Sequence, residues 1–239
     1  MKKLNVYVGY DSSNIGQELA YSVCERSLKA HSNNINVLPI KLDDLKRSGM
    51  YYRDEDTKQS TEFTYSRFLV PALNNYKDLA VFCDSDFVWM NDITSIIDYI
   101  DDTLSISCVP HEYTECPTKT KMDGKVQEWY PKKNWSSLIV FNCEHEDCKS
   151  LTIDHVNTET AKYLHRFEWT SDENIGNIPI DYNYLVGYYN HVKSPEAYHF
   201  TDGGPWHRDY ADCEHSEVWL EYLTKDERKM WDAGNCWSL

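Results

Sequence analysis

The stretch Leu79-Ala80-Val81-Phe82-Cys83-Asp84-Ser85-Asp86-Phe87 decides how this chain is expected to fold. The apolar run that opens it predicts a buried strand, and that strand stops at an acidic triplet. In open α/β sheets, ligands bind outside the carboxyl ends of the strands. Asp84 and Asp86 lie two residues apart on extended chain, so their side chains point the same way. Their carboxylates can converge on one hard cation, and the stretch therefore predicts a metal site at a sheet edge.

Strand and helix patterns alternate on both sides of this stretch, at the spacing that is typical of βαβ units. The predicted strands are 4–8, 35–40, 104–109 and 136–142; the predicted helices run through Leu19 to Leu28 (capped by Ser13 or Asn14) and over 64–73, 91–100, 158–167 and 216–231. A polar, unperiodic segment, 110–135, is expected to be a functional loop. We predict an α/β protein: one Rossmann-like domain over residues 1–239, with a mostly parallel central sheet flanked by helices.

The formal net charge of −15 over 239 residues limits the partners. Nucleic acid and anionic membrane surfaces would repel such a chain, so we expect neither as a partner. An anionic substrate would need local compensation from a metal ion or from a few placed Arg and Lys side chains. No run approaches the roughly 20 apolar residues that span a bilayer, and no leader pattern opens the chain. We therefore expect a cytoplasmic protein without a membrane span, and the oligomeric state stays open.

The eight cysteines are expected to be reduced thiols. Cys83, Cys108 and Cys143 sit in or at the end of apolar runs, where a free cysteine behaves as a small hydrophobe. The chain has no Cys-x-x-Cys pair, and the spacing from Cys143 to Cys148 matches no common structural zinc site. This pattern agrees with the cytoplasmic assignment.

An acidic triplet alone is weak evidence in so acidic a chain. Asp54-Glu55-Asp56 has the same spacing of carboxylates, but no apolar strand precedes it, and we expect it to be a solvated loop. Asp84 and Asp86 differ because they end a buried strand. The context, more than the triplet, therefore marks the predicted metal site.

A second signal lies late in the chain, in His199-Phe200-Thr201-Asp202-Gly203-Gly204-Pro205-Trp206. Paired glycines beside a histidine suggest a loop whose backbone approaches a ligand closely. His199 could complete an Asp, Asp, His ligand set of the kind that suits Mn²⁺. The alternative is an ordinary turn with a surface histidine.

Four motifs then follow one another in a fixed order: Val8-Gly9-Tyr10-Asp11, Tyr65-Ser66-Arg67, Asp84-Ser85-Asp86, and His199 to Trp206. Over nearly the whole chain this order resembles the GT-A glycosyltransferases, especially the glycogenin-like group known as family eight and small bacterial and phage relatives. The resemblance implies a metal-dependent enzyme that transfers a hexose from a UDP-sugar to a hydroxyl of a glycan or small acceptor. It also favours retention of the anomeric configuration. In an inverting enzyme, Asp172 or Asp181 would act as the base for the acceptor hydroxyl.

The resemblance implies roles for individual residues. Gly9, Tyr10 and Asp11 would face the base and ribose, and Arg67 would contact phosphate or sugar hydroxyls. Mn²⁺ or Mg²⁺ would be bound by Asp84, Asp86 and His199, with Ser85, Gly203 and Gly204 in the same donor-binding motifs. Asn134, Ser136 and Ser137 are placed to contact hydroxyls of the donor sugar. Residues 1–109 would then form the nucleotide-binding half, and residues 110–239 the half for the donor sugar and acceptor.

The sequence departs from the family pattern at Gly204, where the family usually carries a lysine that contacts phosphate. His207, Arg208 and the pair Lys132-Lys133 are the candidates to compensate. For the catalytic carboxylate we predict Asp172, with Asp181 as second choice.

One alternative concerns only the residues near Asp172, and two others concern the function of the whole chain. The acidic residues near Asp172 could simply cap the start of a helix. The missing lysine leaves room for a non-catalytic nucleotide-sugar or carbohydrate-binding protein on the same fold. A strand that ends in Asp-x-Asp also occurs in haloacid-dehalogenase-type phosphotransferases, although their motif lies near the N-terminus and is closely followed by a threonine.

Overall fold

A computed structural model describes residues 2–13, 15–54, 61–112, 131–189 and 193–234. The predicted cap Asn14, Glu55 and Asp56 of the second triplet, and residues 113–130 of the predicted functional loop lie outside the described residues. The strands are β1 (Leu4–Gly9), β2 (Ile35–Ile40), β3 (Leu79–Cys83), β4 (Phe87–Trp89), β5 (Ile106–Cys108), β6 (Leu138–Asn142), β7 (Ile175–Asn177), β8 (Tyr184–Leu185) and β9 (Ala197–His199). The α-helices are α1 (Ile15–His31), α2 (Leu42–Arg47), α3 (Val70–Leu73), α4 (Glu146–Ser150), α5 (Ile153–Thr158), α6 (Ala161–His165), α7 (Ser216–Leu220) and α8 (Lys225–Asp232).

The main sheet has six strands in the order β2-β1-β3-β6-β5-β7. β1 pairs in parallel with β2 and β3, and β5 pairs in parallel with β7. β6 is antiparallel to both of its neighbours, β3 and β5. The predicted α/β fold with a mostly parallel sheet is confirmed, with β6 as the reversed strand. Because of this topology, β1, β2, β3, β5 and β7 end at one edge of the sheet, and β6 begins there.

Both faces of the sheet are buried, which explains the nearly continuous apolar runs in its strands. Side chains alternate between two core clusters: Tyr7 and Phe82 pack on one face, while Val6, Val8 and Val81 pack on the other. A strand that is buried on both faces cannot show the alternating pattern of a solvated sheet. The acidic triplet follows at the carboxyl end of β3, where Asp84 and Asp86 are partly exposed and Ser85 is buried.

A smaller sheet in the order β4-β9-β8 lies next to that edge. β4 and β9 are antiparallel, and their register places Phe87 opposite His199. A third core cluster joins Val88 of β4 with Leu19 of α1 and with Trp206 and Trp219 from the last part of the described chain. This cluster holds the small sheet against α1 and fixes the position of β9.

The predicted helices form with different lengths and types. Helix α1 forms as expected, but 64–73 becomes a 3₁₀-helix, Ser66–Leu69, followed by the short α3, and 91–100 forms the 3₁₀-helix Ile93–Tyr99. The segment 216–231 divides into α7 and α8 because Thr224 adopts extended backbone and caps the second helix. None of the described helices is both long enough and apolar enough to cross a membrane.

The described cysteines carry free thiols: Cys24, Cys83, Cys108, Cys143, Cys148 and Cys213. Burial raises the pKa of the Cys143 thiol to about 12. The Cys148 thiol donates to the carbonyl oxygen of Ser105 at 3.1 Å. These two thiols are therefore part of the core packing, as expected of buried cysteines.

Candidate metal centre and surrounding site

Asp84, Asp86 and His199 come together at the carboxyl edge of the main sheet. One ligand atom from each lies within 4.8 Å of the others. Asp86 and His199 are joined by the small sheet: the Phe200 amide donates to the Asp86 carbonyl at 3.0 Å, and His199 Nε2 lies 3.3 Å from Asp86 Oδ1. Two carboxylates and one imidazole form a ligand set that fits a divalent cation such as Mn²⁺. Ser85, between the carboxylates, is buried.

Arg67 contacts Asp84 directly. Its Nη1 lies 2.8 Å from Asp84 Oδ1, and the same nitrogen donates to the Ser136 carbonyl at 2.8 Å. The guanidinium is buried between the rings of Phe63 and Phe82. A buried ion pair with further hydrogen bonds fixes both side chains. Arg67 therefore orients the Asp84 carboxylate and compensates its charge.

A chain of hydrogen bonds orients the imidazole of His199. Asn183 is fully buried, and its Nδ2 donates to Ser137 Oγ at 2.9 Å. Its Oδ1 therefore accepts from His199 Nδ1, 2.8 Å away. Ser137 Oγ in turn donates to the Asn134 carbonyl at 2.6 Å. With Nδ1 protonated, Nε2 of His199 keeps its lone pair, as a metal ligand requires, and this nitrogen is the one that lies beside the Asp86 carboxylate.

Asn134, Ser136 and Ser137, the predicted sugar contacts, lie at the start of β6 on the same edge. The Ser136 hydroxyl is 2.8 Å from Nδ1 of His165, and the Ser137 hydroxyl belongs to the chain just described. Asn134 adopts a left-handed backbone with φ of 64°. In this geometry both serine hydroxyls support neighbouring side chains, and a contact with sugar stays a prediction.

The loop after β1 is held by its own contacts. A Cβ on Gly9 would lie 2.5 Å from the Phe63 ring, so packing against β1 requires glycine there. The Asp11 carboxylate accepts hydrogen bonds from the backbone amides of Ser13 and Glu62 at 2.9 and 3.3 Å. These contacts shape the loop, and roles of Gly9 and Asp11 toward a base or ribose stay predictions.

Tyr10 is partly exposed, whereas the adjacent Gly9 and Asp11 are buried. Its hydroxyl donates to Glu18 at 2.9 Å, and the Lys41 ammonium lies 4.6 Å from its ring centroid. Tyr10, Lys41 and Arg47 line a cavity of about 370 Å³ beside the ends of β1 and β2. A larger cavity of about 770 Å³ lies at the opposite edge of the sheet, at the starts of β1 and β3, away from the metal ligands.

Packing within the late motif explains why position 204 is a glycine and not the lysine that is usual in the family. A Cβ at this position would lie 2.1 Å from the Trp206 ring. Gly203 has φ of 139° and packs against Tyr210. The Trp206 ring fills the space into which a side chain at Gly204 would extend.

The candidates to replace that lysine have other contacts. Lys132 forms an ion pair with Asp172 and donates to the Arg166 carbonyl at 3.1 Å. His207 accepts from the Asp209 amide at 3.3 Å through Nδ1. Lys133 is buried, and Arg208 is exposed. Arg67, by comparison, is in direct contact with the predicted metal ligand Asp84.

The two predicted catalytic carboxylates lie outside the cluster of metal ligands. Asp172 precedes β7 and forms an ion pair with Lys132, and its side chain is 84% exposed. Asp181 follows β7, on the same edge as Asp84. The backbone carbonyl of Asp181 accepts a hydrogen bond from the Glu196 amide at 2.8 Å. Glu196 lies three residues before His199, a separation of roughly 10 Å along a strand. A catalytic role for either residue stays a prediction.

Sequence reasoning missed three polar residues of the site: Asn183, His165 and His111. None belongs to a recognisable motif, and each is linked to the predicted residues only by contacts across the fold. Burial and the nearby positive charge of Arg67 lower the pKa of His165 to about 3. His165 is thus held neutral beside Ser136.

The sheet, the acidic triplet at the end of its central strand, and the histidine from a late strand define a GT-A glycosyltransferase fold. The WbbM bifunctional glycosyltransferase superposes with a TM-score of 0.69 and 12% identity, over 97% of this chain and 51% of WbbM. GlyE of Streptococcus pneumoniae TIGR4 has a TM-score of 0.62 and 14% identity, over 100% of this chain and 65% of GlyE. The galactosyltransferase LgtC, solved with donor and acceptor sugar analogs, has a TM-score of 0.59 and 11% identity, over 95% of this chain and 99% of LgtC. This chain thus spans about half of WbbM, and the likeness shows the fold.

A relative from Arabidopsis thaliana, Protein CDI, is 44% identical to this chain over 237 residues. The match covers 95% of this chain and 90% of the relative. The chain therefore belongs to the family of Protein CDI. No protein-family model matches the sequence.

Proposed function

We propose that this protein is a metal-dependent glycosyltransferase that transfers a hexose from a UDP-sugar to a hydroxyl of a glycan or small acceptor. The observation that carries the proposal is the cluster of Asp84, Asp86 and His199, with ligand atoms within 4.8 Å at the carboxyl edge of a GT-A sheet. The resemblance to the glycogenin-like group supports retention of the anomeric configuration. The same resemblance supports the division into a nucleotide-binding half, 1–109, and a half for the sugar and acceptor, 110–239.

The residues around the cluster supply positioning and charge. Arg67 holds Asp84, and Asn183 holds His199, so two of the three ligands are fixed by buried hydrogen bonds. A divalent cation bound here, Mn²⁺ or Mg²⁺, would neutralise the diphosphate as it leaves the sugar. Such neutralisation matters in a chain of net charge −15. Pre-organised ligands also lower the reorganisation needed when the donor binds.

The cavity at Tyr10, Lys41 and Arg47 is our candidate for the nucleotide end of the donor. It lies beside the ends of β1 and β2, on the same edge as the metal ligands. The Tyr10 ring offers a stacking surface. The cavity's basic side chains are accompanied by the carboxylates of Asp43, Asp44 and Glu62, and Arg47 pairs with Asp44. For a catalytic carboxylate, the strand order supports Asp181 better than Asp172, because Asp181 follows β7 on the edge where β3 ends.

The proposal is tested by UDP release from UDP-glucose and UDP-galactose with Mn²⁺ and with Mg²⁺. Wild-type protein should release UDP only with a divalent cation, and faster when an acceptor is present. Asp86→Asn keeps the side-chain shape but removes a charged ligand, and should abolish the metal-dependent rate. Asp98→Asn, a change at an exposed carboxylate, is the matched control and should behave as wild type. Equal rates for Asp86→Asn and wild type would refute the metal site.

A second function, nucleotide-sugar binding without catalysis, is favoured by one observation: the Trp206 ring fills the place of the family's phosphate-contacting lysine. A thermal-shift screen of UDP, GDP and UDP-sugars with Mn²⁺ separates the two functions. Binding to the native state raises its stability by mass action. Stabilisation by UDP-sugars without UDP release, across a panel of acceptors, would support a binding protein. The GT-A fold argues against the haloacid-dehalogenase-type alternative.

A further inference from the structure

His111 is a buried imidazole that no motif marks. It lies three residues after β5 ends, at the edge where Asp84 follows β3. Only 5% of the residue is exposed. Its Nδ1 is 2.9 Å from the Tyr189 hydroxyl, and its carbonyl accepts from Trp135 Nε1 at 3.2 Å. The contact with Tyr189 therefore holds the ring, and the contact with Trp135 holds the backbone that carries it.

The other ring nitrogen of His111, Nε2, is buried and has no hydrogen-bond partner in the part of the chain that the structure describes. Buried polar atoms in proteins almost always have a partner, so an orphaned nitrogen needs an explanation. The fixed ring cannot turn Nε2 elsewhere without losing the contact with Tyr189. A ligand is the explanation that fits a nitrogen held at the edge of a candidate site.

His111 follows β5, which lies two strands from β3 in the main sheet, at the edge that carries the metal ligands. Burial, and the neighbouring His199, lower the pKa of His111 to about 3. The next strand in the sheet, β6, is preceded by Ser136 and Ser137, which contact Arg67 and Asn183. His111 thus belongs to the same edge as the candidate donor site, and it is a neutral side chain there.

We propose that Nε2 of His111 makes the hydrogen bond to a hydroxyl of the sugar carried by the donor. This inference rests on the proposed function. A neutral imidazole provides no counter-charge for a diphosphate, whereas a hydroxyl, which both donates and accepts, matches either tautomer of the ring. Tyr189 is the positioning residue, since its hydroxyl holds the imidazole through Nδ1.

The test compares binding of UDP with binding of UDP-glucose and UDP-galactose, by isothermal titration in the presence of Mn²⁺. His111→Phe keeps a planar aromatic ring and removes both nitrogens. It should bind UDP as wild type does, and bind the preferred sugar nucleotide about five- to tenfold more weakly, as expected for one lost hydrogen bond. His111→Gln restores an amide nitrogen near Nε2 and should recover part of the loss. Tyr189→Phe should show a smaller loss than His111→Phe.

His155→Phe is the matched control. His155 Nε2 is also buried without a hydrogen-bond partner among the described residues, but this histidine lies on α5 with its ring against Tyr163. It should leave both affinities unchanged. Equal loss of UDP and UDP-sugar binding in His111→Phe, with a normal melting curve, would overturn the sugar contact. So would unchanged binding of both.

The two proposals fail differently. Suppose that the wild type binds and turns over a UDP-sugar, and that His111→Phe binds it with the same affinity. In that case only the proposed role of His111 is wrong. If the wild type binds neither UDP nor either UDP-sugar with Mn²⁺, the proposed donor is wrong, and the assignment of His111 to its sugar is overturned with it.

Discussion

The amide of Asn183 decides which nitrogen of His199 faces Asp86. Asn183→Ala leaves Nδ1 of His199 without its acceptor, so the imidazole can rotate or take the other tautomer. Loss of such a supporting contact typically lowers metal affinity about 10- to 100-fold. We expect a reduction of that size for Mn²⁺ binding to Asn183→Ala, measured by isothermal titration or by paramagnetic resonance of free Mn²⁺.

Asn177→Ala provides the comparison for that experiment, because Asn177 is an exposed asparagine on β7. It should bind Mn²⁺ as tightly as wild type. If Asn183→Ala also bound Mn²⁺ with wild-type affinity, while Asp86→Asn did not, the hydrogen bond from His199 would have no role in metal binding.

Gly204 is a second residue whose type the packing dictates. Gly204→Ala would place a Cβ 2.1 Å from the Trp206 ring, which is fully buried and cannot move freely. Overpacking of this kind costs about 1–3 kcal/mol. We expect urea unfolding to show a loss in that range. Gly49→Asn is the control: Gly49 has φ of 73° with open space around it, which asparagine tolerates, and the change should be nearly neutral. An unchanged stability for Gly204→Ala would show that Trp206 moves easily.

At the residue scale, the sequence indicated the candidate metal ligands, which the structure brings together, but not the residues that support them. Asp84, Asp86 and His199 are recognisable because a metal needs specific residue types in specific motifs. Asn183 and His111 carry no such signal, since their roles come from contacts between strands and loops far apart in the chain. Such contacts depend on the packed structure, and spacing along the sequence does not reveal them.

At the scale of elements, long apolar or periodic segments were predictable and short ones were not. β1, β2, β3 and α1 form where the sequence patterns predict them. β4 and β9 have three residues each, too few for any periodicity to be recognised. Yet their pairing brings His199 to Asp86. Pro71 and the tight 3₁₀ turn before it explain why the predicted helix 64–73 is not continuous.

Helix α8 supports the late motif from the outside. Its Trp231 donates to the Pro205 carbonyl at 2.7 Å, and its Glu227 pairs with Arg26 of α1 at 2.9 Å. Thr224 caps the helix, together with Glu227, in a capping box. The helix therefore links α1 to the turn that follows His199.

Removal of this cap is expected to lower stability without changing metal binding. Thr224→Ala should reduce the free energy of unfolding by about 1 kcal/mol, the usual value of a helix N-cap. Thr158→Ala, near the end of α5, removes an exposed threonine hydroxyl that caps no helix N-terminus, and should cost much less. Chemical denaturation of both variants, with Mn²⁺ titrations alongside, measures the difference. A Thr224→Ala protein as stable as Thr158→Ala would show that α8 is held by its packing alone.

For the whole molecule, charge and burial act together. The chain is strongly acidic, yet two of its histidines, His111 and His165, are buried at the site and held neutral. Burial is the larger cause in both, and the neighbouring His199 or Arg67 adds to it. A protonated histidine at either place would bring a positive charge into the packed edge of the sheet. Protonation at low pH is therefore expected to destabilise the fold at the same edge of the sheet where the proposed donor binds.

The buried histidines set an expected dependence of stability on pH. An unfolded histidine has a pKa of about 6.5, whereas the pKa of His165 in the fold is about 3. Between these values the unfolded chain binds a proton that the native protein does not, so stability falls as the pH is lowered. Each such histidine should contribute about 1.4 kcal/mol per pH unit in this window.

His165→Asn isolates one of these contributions, because an amide can keep the contact with Ser136 but does not titrate. Urea unfolding at pH 7, 6, 5 and 4.5 should show wild type losing about 2–3 kcal/mol more than the variant by pH 4.5. Carboxylates that titrate at low pH contribute to both proteins alike, so the difference belongs to the histidine. Parallel pH profiles for the two proteins would mean that His165 takes up its proton in the folded state, and that the edge of the sheet tolerates the charge.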